Sequence, residues 1–510
     1  MPKKLKISVQ GGMITPTLLV LLAIFFVFAI TIMSWSLQER KDVLRESRNT
    51  KALQLAEAGV DYYKWHLSHD ENDHKDGHTW CCGDDDGDGV GDDALTLEDC
   101  GGVCGPYTTE YRNCNDVAIG KYSLMITPPS LGSTVVGVES TGWVYEDNSV
   151  KKVVTSQLGK KSLARYSFLS NSSIWIGEGE STSGPFHSNK GIRFDGDCNA
   201  SVTNASPDYL YRDYDEDDNI IYVLHDGIWG LAEDDPCGQY WNYPDSPVDF
   251  SLFTVDMASI KKKAEDSGIY LPQFNRSVFH SVFHPGRGYK IVFRDDGKVE
   301  VTAIRSFFTY DYYDGGWKTD DEEINKLWPT TEEVYDLPEN GLIFAQDDVW
   351  VEGTVKGKVT VVAANLELTR PNFAKITIND NITYFVPDGY PDDYRDGNSS
   401  LGLMAEGNVL VPGYSPTNLR IDAVMLSQNE HVYRRNYGGE VNGGGLLNKI
   451  TVYGGIITNK LWTWSYSYNN ILYDGYTFTE TIYDNHLTYG PPPSFPTDEN
   501  FDVLSWSEKK

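Results

Sequence analysis

The densest concentration of chemistry in the sequence is the stretch from Asp84 to Asp93, which holds six carboxylates within ten residues. Asp84, Asp86 and Asp88 fall at positions 1, 3 and 5 of a calcium-binding loop. Gly89 supplies the sharp turn at position 6, the Val90 carbonyl serves position 7, and Asp92 serves position 9. Asp93 or Glu98 can complete the oxygen shell. Carboxylates this close repel one another unless a cation neutralises them, so the spacing points to one calcium ion. The competing interpretation is a solvated acidic loop. Position 12 is Leu95, where a bidentate Glu would stand in an EF-hand.

Five of the seven cysteines surround this loop: Cys81, Cys82, Cys100, Cys104 and Cys114. Cys198 and Cys237 lie further on. Outside the cytoplasm such cysteines form disulfides, with the pairing left open by the spacing. Zinc is the alternative, using Cys100-x3-Cys104 with His66, His69, His74 or His78. No second short cysteine pair of matched spacing supports it, and structural disulfides are the expectation. The Asp-rich stretch resembles the loops of extracellular calcium modules such as thrombospondin type 3 repeats. Two other acidic clusters, Asp213–Asn219 and Asp388, Asp392, Asp393 and Asp396, lack the glycine and read as surface charge. His187 stands in a Gly/Asn-rich stretch with no partnered nucleophile and reads as structural.

The elements that carry these residues begin with the amino terminus. No charged side chain occurs from Ile7 to Gln38. About 20 apolar residues cross a bilayer as a helix, because all backbone groups are then satisfied internally. Lys3, Lys4 and Lys6 precede the run and keep the amino end cytoplasmic. A signal peptide fits less well, because Ser34-Trp35-Ser36 is a poor cleavage site. From Leu37 to His69 the pattern continues as one helix. Leu37, Leu44, Ala52, Leu55, Ala56, Gly59, Val60 and Tyr63 form an apolar stripe, with charges on the other face. An anchor with a coiled-coil stalk would share this shape.

Gly12 followed by Met13 and the apolar run resembles a prepilin peptidase site, with cleavage between those two residues. Ala52-Leu-Gln-Leu-Ala-Glu-Ala-Gly-Val-Asp-Tyr62 is similar to the amino-terminal signature of PilX-type minor pilins. The segment Gly184–Gly196 and the tail, with Tyr483-Asp484, Pro491–Pro493 and Leu504–Trp506, are also similar to large proteins of that type. The resemblance implies a type IV pilus assembly subunit, exported as a single-pass protein of the cytoplasmic membrane and later extracellular in a filament. Its partners would be other pilin subunits through the amino-terminal helix, and prepilin peptidase. Pilins generally carry Glu as the fifth mature residue; here that residue is Thr17, beside Pro16. A subunit without that carboxylate cannot neutralise a buried amine ahead of it, which suggests a tip or initiating position.

The expected organisation is a leader over 1–12, a pilin helix over 13–69 and the Cys/Asp-rich insert over 70–116. A pilin-like meander over 117–160, a β-rich insertion over 161–335 and a solenoid-like domain over 336–510 follow. The meander is predicted from alternating stretches at Tyr122–Ile126, Ser133–Val138 and Lys151–Thr155. A helix is predicted near Val255–Ser267. Short apolar strands at Val349, Lys358, Lys375, Leu401, Leu419 and Lys449 suit stacked β-solenoid turns, with a β-sandwich as the competing fold. The fold class is therefore α+β, a long helix followed by a mostly antiparallel and solenoidal β-rich body.

With 43 basic and 74 acidic residues the formal charge is −31, which excludes a nucleic-acid partner. A non-enzymatic minor pilin or pseudopilin with an adhesive role toward a surface or glycan ligand is the leading expectation. Trp462, Trp464, Tyr466 and Tyr468 are adhesive candidates, although alternating aromatics also suit a strand core. A membrane-anchored calcium-dependent β-helix enzyme acting on polysaccharide is one alternative. A surface adhesin outside any filament is the other. No motif singles out two catalytic carboxylates, so no enzyme activity is expected.

Overall fold

The computed structural model describes residues 14–82, 95–215, 219–234, 236–250, 252–274, 288–307, 310–313, 316–319, 324–327, 331–367, 372–391, 394–437, 445–468 and 471–509. One long apolar helix is followed by a large β-rich body with mixed sheets, an α+β arrangement. The chain divides into two compact units. Unit 1 comprises Met1–Pro128, Val136–Leu158 and Val503–Lys510, and unit 2 comprises Pro129–Val135 and Gly159–Asp502.

Helix α1 of unit 1 runs unbroken over Ile14–His69, 56 residues, or about 84 Å at 1.5 Å per residue. Pro16 falls in its first turn, where a missing N–H costs nothing. Within the apolar half the hydroxyls of Thr31 and Ser34 donate back to the carbonyls of Val27 and Ile30, at 2.7 and 2.8 Å. These bonds satisfy both hydroxyl donors within the helix itself.

The carboxyl-terminal part of α1 lies on a five-stranded sheet, ordered Cys104–Arg112, Ala118–Thr127, Val135–Val144, Asp147–Gly159, Asp502–Lys509. The first three strands pair antiparallel, with Leu124 opposite Ser140 and Tyr122 opposite Gly142. Burial along Val135–Val144 alternates strictly, the period of a strand with one covered face. Ala52, Leu55, Ala56, Val60, Tyr63 and Leu67 of α1 are buried. Close approach depends on glycine: a Cβ at Gly142 would lie 2.3 Å from the Ala52 carbonyl, and one at Gly59 2.4 Å from Ser140 Oγ. The apolar stripe expected to start at Leu37 is buried only from Ala52 onward; Leu37 and Leu44 are 54% and 56% exposed. The meander expected from the stretches at Tyr122–Ile126, Ser133–Val138 and Lys151–Thr155 is present as strands, and two strands missed in the sequence, Cys104–Arg112 and Asp502–Lys509, extend it at its edges.

Unit 2 is dominated by parallel pairing. One ladder contains ten strands. Ile269–Leu271, Leu342–Ala345, Lys358–Ala363, Ser400–Ala405, Asn418–Ser427 and Leu446–Thr458 stack in that order. The earlier segments Phe168–Ser170, Phe186–Ser188, Val202–Asn204 and Trp241–Asn242 then continue the stack. A second ladder joins Tyr289–Phe293, Val349–Val355, Ile376–Tyr384, Val409–Val411, Val432–Arg434 and Trp462–Thr463. A third, shorter one joins Ile174–Ile176, Ile192–Phe194 and Ile228–Trp229. Antiparallel hairpins such as Asp208–Tyr214 with Ile220–Asp226 branch from this frame. The expected apolar strands at Val349, Lys358, Lys375, Leu401, Leu419 and Lys449 all lie within the parallel ladders.

Strands of the long ladder are buried on both faces; Ser400–Ala405 is buried at every residue. Leu401, Leu403 and Ala405 join the inner core with residues of the second ladder. Met404 faces the other way, toward Met257, Ile260 and Ala264 of helix α2 (Leu252–Ser267) and Leu487 and Phe495 of the tail. Such strands read as continuous apolar runs rather than alternation. Side-chain amides just past three neighbouring strands bond in series: Asn189 donates to Asn171, and Asn171 donates to Asn459, each at 2.9 Å. Stacked amides of this kind lock register along a ladder.

Candidate functional site

The first candidate surface is α1 itself. It is the one helix among the described residues that is long and apolar enough to cross a membrane. Its apolar half is bare: Phe25, Phe26, Phe28, Met33 and Trp35 are each more than 60% exposed. Further along, Arg48 and Lys51 reach Asp147 and Glu146 at 3.1 Å, which fixes the face that meets the sheet. Gly12 and Met13, the expected cleavage pair, lie outside the described residues.

The cysteine-rich region is built around the end of α1. Cys81 pairs with Cys104 and Cys82 with Cys100, while Cys114 is a free, exposed thiol. In unit 2, Cys198 pairs with Cys237. The zinc alternative fails chemically, because both members of Cys100-x3-Cys104 are consumed in disulfides. His66 instead meets Asp73, with Nε2 and Oδ2 2.9 Å apart. Burial pushes the Asp73 carboxyl up, but the N–H groups of Lys75 and Gly77, together with His66, hold it below the usual range. His74 is pushed down by burial, and His78 stacks on Tyr107. The Tyr107 hydroxyl donates to the Trp80 carbonyl at 2.9 Å. The expected calcium ligands Asp84, Asp86, Asp88, Val90, Asp92 and Asp93 lie outside the described residues. Among the described residues, no group of three or more His, Cys, Asp or Glu is placed to hold a metal.

The remaining sequence candidates are dispersed. His187 is buried in the long ladder, its ring held between Thr203 Oγ1 at 2.7 Å and Asn189 Oδ1 at 3.1 Å. Burial pushes it toward the neutral form. Asp215 closes the turn of its hairpin by accepting from the Asn219 N–H at 2.8 Å, and Asp396 caps its own turn at Asn398. Asp392 and Asp393 are outside the described residues. Of the aromatic candidates, Trp462 and Trp464 are buried and Tyr468 is 73% exposed, so they do not form one adhesive row.

Two features of unit 2 escaped the sequence. Arg434 and Asp474 are a fully buried ion pair at 2.8 Å, and Asp474 also accepts from the N–H groups of Tyr437 and Gly445. The short third ladder places Trp175, Arg193 and Trp229 in register on three adjacent strands. The Arg193 guanidinium lies between the two indoles, 4.9 Å from one ring centre and 5.2 Å from the other. Its hint in the sequence was slight, a charged residue between apolar ones in Ile192-Arg193-Phe194.

No family model matches the chain, and no curated protein matches it. Among solved structures, the chain is similar to the crystal structure of the competence-associated pilin ComZ from Thermus thermophilus. The two are 12% identical with a TM-score of 0.26, over 91% of this chain and 97% of that one.

Proposed function

We propose that this chain is a non-enzymatic minor pilin or pseudopilin, resident in the cytoplasmic membrane before assembly and at a filament tip afterwards. The observation that carries the proposal is the division of labour along α1. One continuous helix presents an exposed apolar half and, from Ala52 onward, buries one face on an antiparallel sheet. An exposed apolar surface of that size requires lipid or other apolar helices around it. A helix that must serve first in a bilayer and then among copies or relatives needs this arrangement.

Within this proposal the parallel ladders of unit 2 form a β-solenoid. Their parallel pairing supports it over a sandwich, whose sheets are antiparallel. The Asp84–Asp93 loop binds one calcium ion within the segment closed by the two disulfides. Domain limits follow the scheme given above, with the body projecting from the filament as an adhesive module.

Coexpression with a prepilin peptidase, followed by mass determination of the mature amino terminus, tests the filament role. A new terminus at Met13 is expected. Retention of Gly12, or cleavage beyond Trp35, overturns it. Chelation of calcium should expose residues 70–116 to protease under non-reducing conditions, and unchanged protection removes the metal. Incubation with neutral oligosaccharides should release no new reducing ends; their release would favour the anchored enzyme instead.

A further inference from the structure

Beside the Trp175–Arg193–Trp229 stack lies a cleft of about 550 Å³, within the size range of small-ligand sites. Trp175, Glu180, Arg193, Asp195, Trp462 and Ser465 contribute to its walls. Trp175 is 42% exposed, a large aromatic left at the surface. It is also held rigidly. Its Nε1–H donates to Asp195 Oδ2 at 2.8 Å, and Arg193 stacks on its ring. Asp195 in turn sits 2.8 Å from Arg193 Nε and accepts from the Leu231 N–H at 3.0 Å. Tyr211 receives a bond from Arg193 Nη1 at 2.8 Å. An exposed indole immobilised by this many partners is pre-organised for a ligand rather than for packing.

Another lining residue supplies an independent sign. Trp462 is only 8% exposed, yet its Nε1–H has no hydrogen-bond acceptor among the described residues. A buried indole donor ordinarily finds one. Charge narrows the ligand class. Arg193 is balanced by Asp195, and Glu178 and Glu180 add acid, so an anionic ligand is disfavoured. The Asp195 oxygens are already engaged by Arg193, Trp175 and Leu231, which leaves little to attract a cationic peptide. What remains is an aromatic face, a lone donor and carboxylate or hydroxyl acceptors, the complement of an uncharged polyhydroxylated molecule.

We propose that this cleft binds a neutral saccharide, stacked on Trp175, with a sugar oxygen accepting from the Trp462 Nε1–H. The site deepens the adhesive part of the proposed function and rests on that reading for its role, not for its chemistry. Burial pushes the Glu180 carboxyl up to about 7, with the Gly177 N–H opposing, so around neutrality it is able to donate to or accept from a sugar hydroxyl.

The test uses the full chain in a zwitterionic detergent free of sugar, with cellotriose, mannotriose, chitotriose and maltotriose as probes. Trilysine and tri-galacturonate are the charged controls. Titration calorimetry and saturation-transfer NMR should show one or more of the neutral probes binding. Trp175→Ala should weaken that binding about tenfold or more through loss of the stacking face. Trp462→Phe keeps a ring and should weaken it about two- to tenfold through the lost donor. Tyr468→Ala, outside the cleft, should change nothing, and an unaltered thermal midpoint for Trp175→Ala shows that the fold persists. Binding by none of the neutral probes overturns the proposal. So does undiminished binding by Trp175→Ala, or preferential binding of trilysine or tri-galacturonate at the cleft. Failure of the filament role is separable: it appears as absent processing at Met13 while saccharide binding persists.

Discussion

Both sheets contain the dipeptide Leu-Met, and the two copies live in different surroundings. In unit 1, Leu124 is fully buried against the helix side while Met125 is half-buried on the other face. In unit 2, Leu403 and Met404 are both fully buried, one in the inner core and one beneath α2 and the tail. The comparison teaches that an antiparallel sheet with one covered face needs only alternate apolar residues. A parallel ladder sheathed on both sides needs them consecutively. Polar groups follow the same division. The helix–turn ion pairs of unit 1, from Arg48 and Lys51, keep solvent contact, whereas Arg434–Asp474 has none.

The sharpest way to break this contrast is to remove one member of the buried pair. Asp474→Ala should cost about 3–5 kcal/mol, since it removes a fully buried counter-charge 2.8 Å from the Arg434 guanidinium. Arg48→Ala in unit 1 should cost no more than about 1 kcal/mol. Denaturant titration of both variants checks the pair, and equal costs would remove the distinction. Next in size, Leu403→Ala and Met404→Ala should each cost about 2–5 kcal/mol, as should Leu124→Ala, while Met125→Ala should lose clearly less because its site stays partly hydrated. A Met404→Ala variant as mild as Met125→Ala would mean that the outer face of the ladder is not a core.

The smallest effect is one of pH. Burial raises Glu180 to about 7, against hydrogen bonds from the Gly177 N–H and the Thr479 hydroxyl. A raised folded value means that the protonated form is favoured by folding. Its stabilising contribution is therefore full below the unfolded value and is lost as pH rises through about 7. Wild-type thermal stability should fall more between about pH 5 and about pH 8 than that of Glu180→Gln. Parallel pH profiles would place the carboxyl in water instead.

The sequence made one-sided elements legible because their periodicity is local. The apolar run from Leu18 to Met33 and the alternation from Val135 to Val144 each declare a helix and a strand without reference to distant residues. Strand Cys104–Arg112 was hidden because Gly105, Pro106 and Glu110 are poor strand formers, and it takes its order from pairing with Ala118–Thr127. The stacking of Phe168–Ser170 on Ile456–Thr458 could not be read locally at all, since the partners are nearly the whole body apart. The Trp175–Arg193–Trp229 stack has the same cause: its register exists only once three separate strands align. The zinc alternative arose because thiol spacing alone does not distinguish Cys82–Cys100 from a chelate.

The last strand of the sheet in unit 1 has a consequence for biosynthesis. Asp502–Lys509 pairs beside Asp147–Gly159, with Lys152 meeting Glu508 at 2.5 Å across 356 residues of chain. The ribosome must therefore finish essentially the whole body before the edge of that sheet can close. A chain truncated between residues 160 and 501 leaves Asp147–Gly159 as an open edge, ready to pair with another molecule. Strand Asp502–Lys509 thus acts as a check on synthesis, under which only a chain extended through it has a closed sheet behind its apolar helix.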